Sequence, residues 1–569
     1  CNARYYNYGK FIDIQIRCSL KMINMPLSKF GSAFGLDVKK EIMPYDLYTE
    51  ENVEKVWIPV DECIETVKEA NLDSDIYIKN CKEWNCISDG KINILKYAGE
   101  YCYLDCIVLQ QGYEKFASLV DEAIGEDIND YISLASMAHN HLIKEGCYDD
   151  VLQMSGIPRA FIQKCVVGGR TMCSENKKSL NFEKYSHKKF SDFDAVSLYP
   201  SAMARMLGFL KGKPKIIKTF EPKKYDGYFV CIKVKSIKKK YKFPCVSLLT
   251  DEGIRNFTND LVGEYLYLDR VGLEDFVKYH GAEYEFVNGY YYDEGHNNKI
   301  RSVINHLFNQ RLKFKKEKNP IQMVFKELMN SSYGKAYLKP IDSDSKYVKA
   351  DEFNTFMDRN FNYIKEATKL ANGLYYKVKY YKPIDNHFNN VHVGVEILSM
   401  SKRIMFEVMT LAEDLGHTMT YTDTDSIHID SSKIDELAAE FKKKYGRELI
   451  GKMMGQFHTD FDLDGSVGDI HAVRSIFLGK KCYVDELEGY DDQGNVINDY
   501  HIRMKGVPSD CIIYKAEQEY GGDIIALYKD LYDGKELTFN LLAVRPKFEM
   551  CKNMNIITKT TFNRKISFN

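Results

Sequence analysis

Nowhere in this chain of 569 residues do 18 or more apolar residues run together, so no segment reads as a membrane-spanning helix. The opening stretch also lacks the basic-then-apolar pattern of a secretion leader. Neither charge is in excess: Lys plus Arg number 79 and Asp plus Glu 81, a formal charge of −2. That excludes a globally basic nucleic-acid binder but leaves room for local positive grooves. There is no CxxC pair and no zinc-like Cys/His spacing, although cysteines number 15. An odd, scattered set of that kind reads as buried thiols in a reducing, intracellular setting, not as a disulfide framework. Tryptophan is scarce, at 2, yet 31 Phe and 41 Tyr bring aromatics to 13% within an apolar fraction of 44%. A chain with that much apolar surface buries real cores, which excludes disorder and fibrous repeats, and its length implies about three or four compact units.

Internal repeats and long low-complexity tracts are absent too. Residues 111–150 look helical, and Val166-Val167-Gly168-Gly169-Arg170 forms a glycine-marked turn. Lys177 to Lys189 reads as a polar, basic loop. Gly227 to Ser236 alternates as a strand does. Lys299 to Lys318 and Ile321 to Tyr337 read as helices separated by Asn319-Pro320, a helical hairpin. Val395 to Leu415 fits a helix stopped by Gly416, and Met419 to Asp430 alternates as strand, turn and strand. Two stretches fit neither pattern. Pro244 to Asn298 is rich in Tyr and turns, and Pro340 to Pro383 is polar and too long for an ordinary connection, so it reads as an insertion with its own structure.

Four short segments carry chemistry. Asp194-Ala195-Val196-Ser197-Leu198-Tyr199-Pro200 ends an apolar strand with a carboxylate beside a tight turn, and Asp192 precedes it. Tyr421-Thr422-Asp423-Thr424-Asp425-Ser426 would bring two carboxylates together at a hairpin tip. Crowded carboxylates repel unless a hard cation lies between them, and Mg²⁺ takes few protein carboxylates while keeping positions for water and phosphate. Two strand-borne acidic sites therefore suit two-metal phosphoryl transfer; solvated turn aspartates are the plainer alternative for the DTD alone. In Lys326-Glu327-Leu328-Met329-Asn330-Ser331-Ser332-Tyr333-Gly334-Lys335, helical spacing puts Lys326, Asn330, Tyr333 and Tyr337 within about 60° on one face. Arg311 and Lys315 are spaced i, i+4 on the preceding helix, so the pair could close a cationic and aromatic jaw over a triphosphate. As a charge run alone, Arg311 to Lys318 would be only a solvated face. Lys481-Cys482-Tyr483, followed by Met504-Lys505-Gly506, puts a cation beside a ring, a weak pattern that suits a phosphate or primer end. Their conjunction in order is what counts, since DxxSLYP alone has a chance rate of roughly 3 in 10,000 at average composition.

Together these segments resemble the family B DNA polymerases, whose motif A (DAVSLYP), motif B (KELMNSSYG), motif C (YTDTDS) and KxY motif they match. The spacing and the Pro340 to Pro383 insertion resemble the protein-primed branch found in phages, adenoviruses, linear plasmids and polinton-like elements. The resemblance implies a mixed α+β right hand of palm, fingers and thumb, preceded by an incomplete ribonuclease-H-like exonuclease domain. Its implied division is a truncated exonuclease-like unit at 1–110, connecting helices and the GG turn at 111–190, and palm with motif A at 191–243. A first terminal-protein region at 244–298, fingers at 299–337 and a second such region at 338–390 follow. Palm resumes at 391–484 with motif C and KxY, and a thumb and tail close the chain at 485–569.

Residue by residue, the resemblance makes Asp194 and Asp425, helped by the Ala195 carbonyl, ligands of two Mg²⁺ ions, with Mn²⁺ able to substitute; Asp423 is the third catalytic carboxylate. Ser197, Leu198, Tyr199, Arg311, Lys315, Lys326, Asn330 and Tyr333 would hold the incoming deoxynucleotide, Tyr199 excluding a ribose 2′-hydroxyl. Gly168, Gly169, Lys481, Tyr483 and Lys505 would meet DNA. The implied partners are template and primer DNA, dNTPs and a terminal priming protein, with no membrane and a monomeric chain; salt should weaken DNA binding steeply.

Two departures stand out. The family's YxGG-type motif appears as Val166-Val167-Gly168-Gly169, without its tyrosine. Tyr101 and Asp105 match the third exonuclease motif (YxxxD), and Lys39-Lys40-Glu41-Ile42 its lysine motif, but the first two exonuclease motifs are not found. Since two-metal hydrolysis needs several carboxylates, the expectation is an N-terminally truncated enzyme that polymerises and does not proofread. Rival readings are a family B polymerase started by an ordinary primer, an RNA-dependent polymerase with a similar DxD hairpin, and a non-catalytic single-stranded DNA binder using its Tyr rings as stacking platforms.

Overall fold

Alternation decides the central strand. In Phe190–Ala195 the side chains of Ser191, Phe193 and Ala195 are buried on one face while Asp192 and Asp194, two apart, share the more open one. The computed structural model describes residues 2–7, 10–182, 188–250, 253–339, 341–371, 373–550 and 556–568. Among them, Phe190–Ala195 lies within a nine-stranded sheet whose main path runs Val496–Met504, Cys482–Tyr490, Val467–Gly479, Phe190–Ala195, Ser426–Asp430, Met419–Asp423 and Thr171–Cys173. Phe190–Ala195 and Ser426–Asp430 are antiparallel, with Asp194 opposite Ser426 and Asp192 opposite His428.

Behind this sheet runs the helix Val391–Asp414, buried along nearly its whole length. Its Ile397, Ile404 and Val408 share one core with Phe193 and Ile427 of the sheet and with Ile304, Phe308 and Phe325 of the helical hairpin. Each such side chain gains about 1.5–3 kcal/mol from full burial, so sheet, helix and hairpin are held against one another by a common core. Glu407 of the long helix, 4% exposed, accepts from Arg205 at the end of Leu198–Arg205 and from Arg447. Burial would raise that carboxyl, but the two guanidinium groups hold it below the usual range.

The hairpin helices span Lys299–Lys316 and Ile321–Ser331. The α-helical part of the expected run to Tyr337 stops at Ser331, and Gly334–Tyr337 continues it as a short 3₁₀ helix. Gly334 weakens a helix by about 1 kcal/mol relative to Ala, and the rings of Tyr333 and Tyr337 are used in a stack described below. The helical stretch expected at 111–150 is two helices, Ile94–Ile124 and Leu134–Lys144.

Two of the expected boundaries fall elsewhere in the fold. Strand Gly227–Ser236, placed with the palm by its sequence position, pairs with Tyr265–Asp269 and Glu283–Tyr292 in a separate four-stranded sheet. The boundary at 243/244 therefore cuts through that sheet. Likewise Cys482–Tyr490 and Val496–Met504 belong to the large sheet, so the C-terminal helical unit begins only with Ser509–Tyr520 and Ile524–Tyr532. The 338–390 stretch holds a three-stranded sheet of its own, Ser343–Lys349, Tyr375–Tyr381 and Ile364–Lys369, with the helix Phe353–Asn360. Pro340, its expected start, lies outside the described residues, as do Cys1 and residues 183–187 of the expected basic loop. Among the described residues every cysteine is free, most of them buried, and no helix is long and apolar enough to cross a membrane.

Candidate active site

Motif C folds as strand Met419–Asp423, a two-residue turn, and strand Ser426–Asp430. Thr424 in that turn has φ 63°, the left-handed region, and Ser197 (φ 50°) and Lys481 (φ 58°) share it. For a side chain other than glycine this costs roughly 1–2 kcal/mol each, and all three positions border the carboxylates, where such strain commonly gathers.

Asp194 and Asp425 are brought together by backbone pairing. The Ala195 N–H donates to the Asp425 carbonyl at 2.8 Å, one residue from the Asp194/Ser426 pair. Burial, followed by the like charges of Asp425, Asp460 and Asp192, pushes the Asp194 carboxyl up to about 8. Burial also pushes Asp425 up, to about 6, with Asp423 and Asp192 adding to it and Lys481 opposing. Two hard oxygen donors that resist ionising side by side are what a divalent cation stabilises.

Asp423 is held aside. Both of its oxygens lie 3.0–3.1 Å from Lys481 Nζ, and Oδ1 also accepts from Thr171 Oγ1 at 2.9 Å. The backbone of Lys481 is fixed in turn, its N–H donating to the Tyr421 hydroxyl at 2.9 Å. Tyr483 is 5% exposed and its ring packs on Tyr421 at 4.6 Å. The expected KxY pair thus lies against the motif C hairpin, with Lys481 at the surface and Tyr483 beneath it. Lys505, exposed, donates its N–H to the Lys481 carbonyl at 2.9 Å.

The glycine turn reaches the same place. A methyl group on Gly169 would lie 2.5 Å from Thr424 Cγ2, so only glycine lets the chain pass this close to the DTD turn. The next residue, Arg170, accepts at its carbonyl from the Thr424 N–H at 2.7 Å, and its buried guanidinium donates to the Phe243 and Pro244 carbonyls. Gly168 faces open space.

After Asp194 the chain turns at Ser197 into the helix Leu198–Arg205. Arg311 of the hairpin donates to Ser197 Oγ at 3.3 Å, which ties the jaw to this turn, while Leu198 is buried in the core. Tyr199 stacks on Tyr333, ring centroids 4.2 Å apart and planes 18° from parallel. Lys315, Lys326 and Asn330 are exposed, and neither lysine has a carboxylate partner among the described residues. Their ammonium groups are open to a phosphate.

A cavity of about 550 Å³ fronts the carboxylates. Its lining adds Asp192, Asp460, His501 and Arg503, which sequence reasoning did not single out as site residues. Asp192 was within reach, since i−2 from Asp194 on a strand means the same face. Asp460 was not: it arrives because Phe457–Thr459 pairs with Phe190–Ala195. Deeper, His428 Nε2 lies 3.0 Å from Asp485 Oδ2 and His501 Nδ1 lies 3.4 Å from it, with Ser475 Oγ donating to Asp485 Oδ1 at 2.7 Å. Burial opposes the charge on His428, yet Asp485 and Asp192 hold it above its usual range. This trio has the spacing of a metal site, although Asp485 is already hydrogen-bonded by His428 and Ser475, a lock beneath the hairpin.

Tyr101 and Asp105 lie on the long helix Ile94–Ile124, well apart in sequence from these groups. Lys40 Nζ pairs with Asp105 Oδ2 at 2.6 Å and also contacts the Tyr101 hydroxyl.

The family description "DNA polymerase type B, organellar and viral" matches residues 2–447. A "Probable DNA polymerase" of Ascobolus immersus is 24% identical over 442 residues, covering 75% of this chain and 34% of that protein. A "DNA polymerase" of Kluyveromyces lactis is 22% identical over 518 residues, covering 88% of this chain and 49% of that one. The chain thus spans a third to a half of the length of these curated relatives. Among solved structures, Phi29 DNA polymerase complexed with single-stranded DNA superposes with a TM-score of 0.59 at 16% identity, covering 99% of this chain and 82% of that one. The same enzyme complexed with primer-template DNA and incoming nucleotides gives 0.61. At that identity the likeness is one of fold, and the fold is the palm, fingers and thumb arrangement.

Proposed function

This chain belongs to the organellar and viral DNA polymerases of type B, and from that premise we propose that it adds deoxynucleotides to a 3′-hydroxyl under the direction of a DNA template. The observation that carries the reading is the meeting of Asp194, near the end of one strand, with Asp425, in the turn that opens the neighbouring strand, both half-buried and crowded at the edge of the cavity that also receives Asp423 and Lys481.

The donor set fits two divalent cations, which Asp194, Asp425 and the Ala195 carbonyl would hold. Mg²⁺ there, or Mn²⁺ in its place, supplies a lowered pKa for the attacking hydroxyl and charge neutralisation for the departing pyrophosphate. The protein's own groups do the rest. Arg311, Lys315, Lys326 and Asn330 orient the triphosphate so that its α-phosphorus meets the hydroxyl in line. Tyr199 underlies the sugar and excludes a 2′-hydroxyl, and Tyr333 packs on the new base pair. Asp423, its charge balanced by Lys481, holds the hairpin and tunes Asp425. Gly168, Gly169, Lys481 and Lys505 line the path of the DNA, and Tyr483 supports Lys481 from beneath.

Within this reading we favour initiation on a protein hydroxyl. The support is the pair of extra units beside the core, the four-stranded sheet around Gly227–Ser236 and the three-stranded sheet at 343–381, which primer-started relatives have less reason to carry. One assay tests both levels. Extension of a primed template should be lost in Asp194→Ala and Asp425→Ala while DNA binding remains. Near-parental extension by either variant would remove the carboxylate assignment. Replacing the primer with a partner protein bearing a free Ser, Thr or Tyr hydroxyl should give a covalent protein–nucleotide product; dependence on a nucleic-acid primer alone would favour the primer-started alternative.

A further inference from the structure

We infer that Tyr337 is a positioning residue for sugar selection, forming with Gly394 the backstop against which the Tyr199–Tyr333 pair is held. The inference rests on the nucleotide-adding reading and extends it to two residues outside the recognisable motifs.

The rings form a continuous series. Tyr199 lies on Tyr333 at 4.2 Å and 18°, and Tyr333 lies on Tyr337 at 6.2 Å and 27°. Offset stacking of this kind is the preferred aromatic geometry, so displacing one ring displaces the next. The far end of the series does not stop in solvent. Tyr337 rests on the helix Val391–Asp414 at Gly394, where an added methyl would lie 2.6 Å from both Cβ and Cδ1 of Tyr337. Gly394 has no positive φ to account for it. What the glycine provides there is the approach of the ring to the helix backbone.

That helix is a firm support. It is buried along nearly its whole length, shares the core of sheet and hairpin, and leads directly into the strand that ends at Asp423. The depth of Tyr199 is therefore referred, through two rings, to the same element that positions the motif C carboxylates. The electrostatics agree: after burial, the groups that raise the Tyr199 phenol, to about 12, are Tyr337 and Asp425. Tyr333 feels Tyr199, Tyr337 and Asp425 in the same way. A sugar carrying a 2′-hydroxyl is rejected only if Tyr199 cannot retreat, and Tyr337 is what stands behind its partner.

The test is the ratio of kcat/KM for a dNTP to that for the matching rNTP on a primed template, measured beside Tm. Tyr337→Leu removes the ring and should lower the ratio about tenfold, the scale on which loss of a packing contact alters discrimination. Tyr337→Phe keeps the ring and should leave the ratio unchanged. Gly394→Ala pushes the series toward Tyr199 and should raise KM for the dNTP severalfold with kcat nearly constant. An unchanged ratio in a folded Tyr337→Leu protein overturns the inference, and so does an equal loss for both sugars, which marks a merely structural role. If Tyr337→Leu does not fold, the other two decide: a ratio lost in Tyr337→Phe, or an unaltered KM in Gly394→Ala, overturns it. A parental protein that extends and discriminates while the variants behave alike defeats only this inference; a parental protein that does not extend defeats the underlying reading as well.

Discussion

Binding of Mg²⁺ to the nucleotide-free protein should release about one proton at pH 7. The magnitude follows from the two carboxyls at the centre of the site. With Asp194 at about 8 and Asp425 at about 6, roughly nine-tenths of the first and one-tenth of the second are protonated at neutrality. A cation requires both ionised, so those protons leave when it binds. At about pH 9 the release should fall to roughly one-tenth of a proton, and Asp194→Asn should show the same small value at pH 7. Calorimetric titration in buffers of differing ionisation enthalpy reads the number directly. The sign for stability follows. Because the folded chain keeps a proton on Asp194 that the unfolded chain gives up at the ordinary carboxylate value, stability falls as pH rises from about 4 to about 8. Mg²⁺ offsets that loss, so it should raise Tm more at about pH 8.5 than at about pH 6. Proton release that is absent at pH 7, or unaltered by Asp194→Asn, would refute the reasoning.

Two further predictions concern charges outside that pair. Lys481→Met removes an ammonium 58% exposed, so the ion pair with Asp423 is worth only about 0.2–1 kcal/mol and Tm should barely change. Primer extension should nevertheless drop at least about tenfold, a loss of about 1.4 kcal/mol or more in the transition state, and its acid limb should move to higher pH because Lys481 no longer lowers Asp425; a large fall in Tm with normal extension would reverse the assignment. We also propose that the chain leaves single-stranded DNA intact, because Lys40 engages the Asp105 carboxylate of the third exonuclease motif. Degradation that disappears in Asp105→Ala would contradict this.

Legibility in the sequence followed the range of the interaction. SLYP, DTD and the NSSYG run are readable because strand and helix periods place neighbouring residues on one face, and the hairpin tip at Thr424 and the two helices that carry Arg311 and Lys326 come with them. Pairings between distant segments were not. Lys481 was noted as a cation beside a ring, but nothing local says that it neutralises Asp423, 58 residues away. Gly169 was seen as a turn; its tight fit against Thr424 depends on two strands meeting at an edge of the sheet. Asp460 enters through a short strand that joins Phe190–Ala195 only in the folded chain. Strand Gly227–Ser236 shows the same limit from the other side. Its alternation was plain, but its sheet is chosen by the partners at 265–269 and 283–292, which periodicity does not reveal.

Anomalous scattering from crystals grown with Mn²⁺, primer-template DNA and an incoming nucleotide locates the bound cations directly. Two peaks touching Asp194 and Asp425, with Asp423 still facing Lys481, are the result this account requires. Peaks at His428, Asp485 and His501 alone, with none between Asp194 and Asp425, would contradict it.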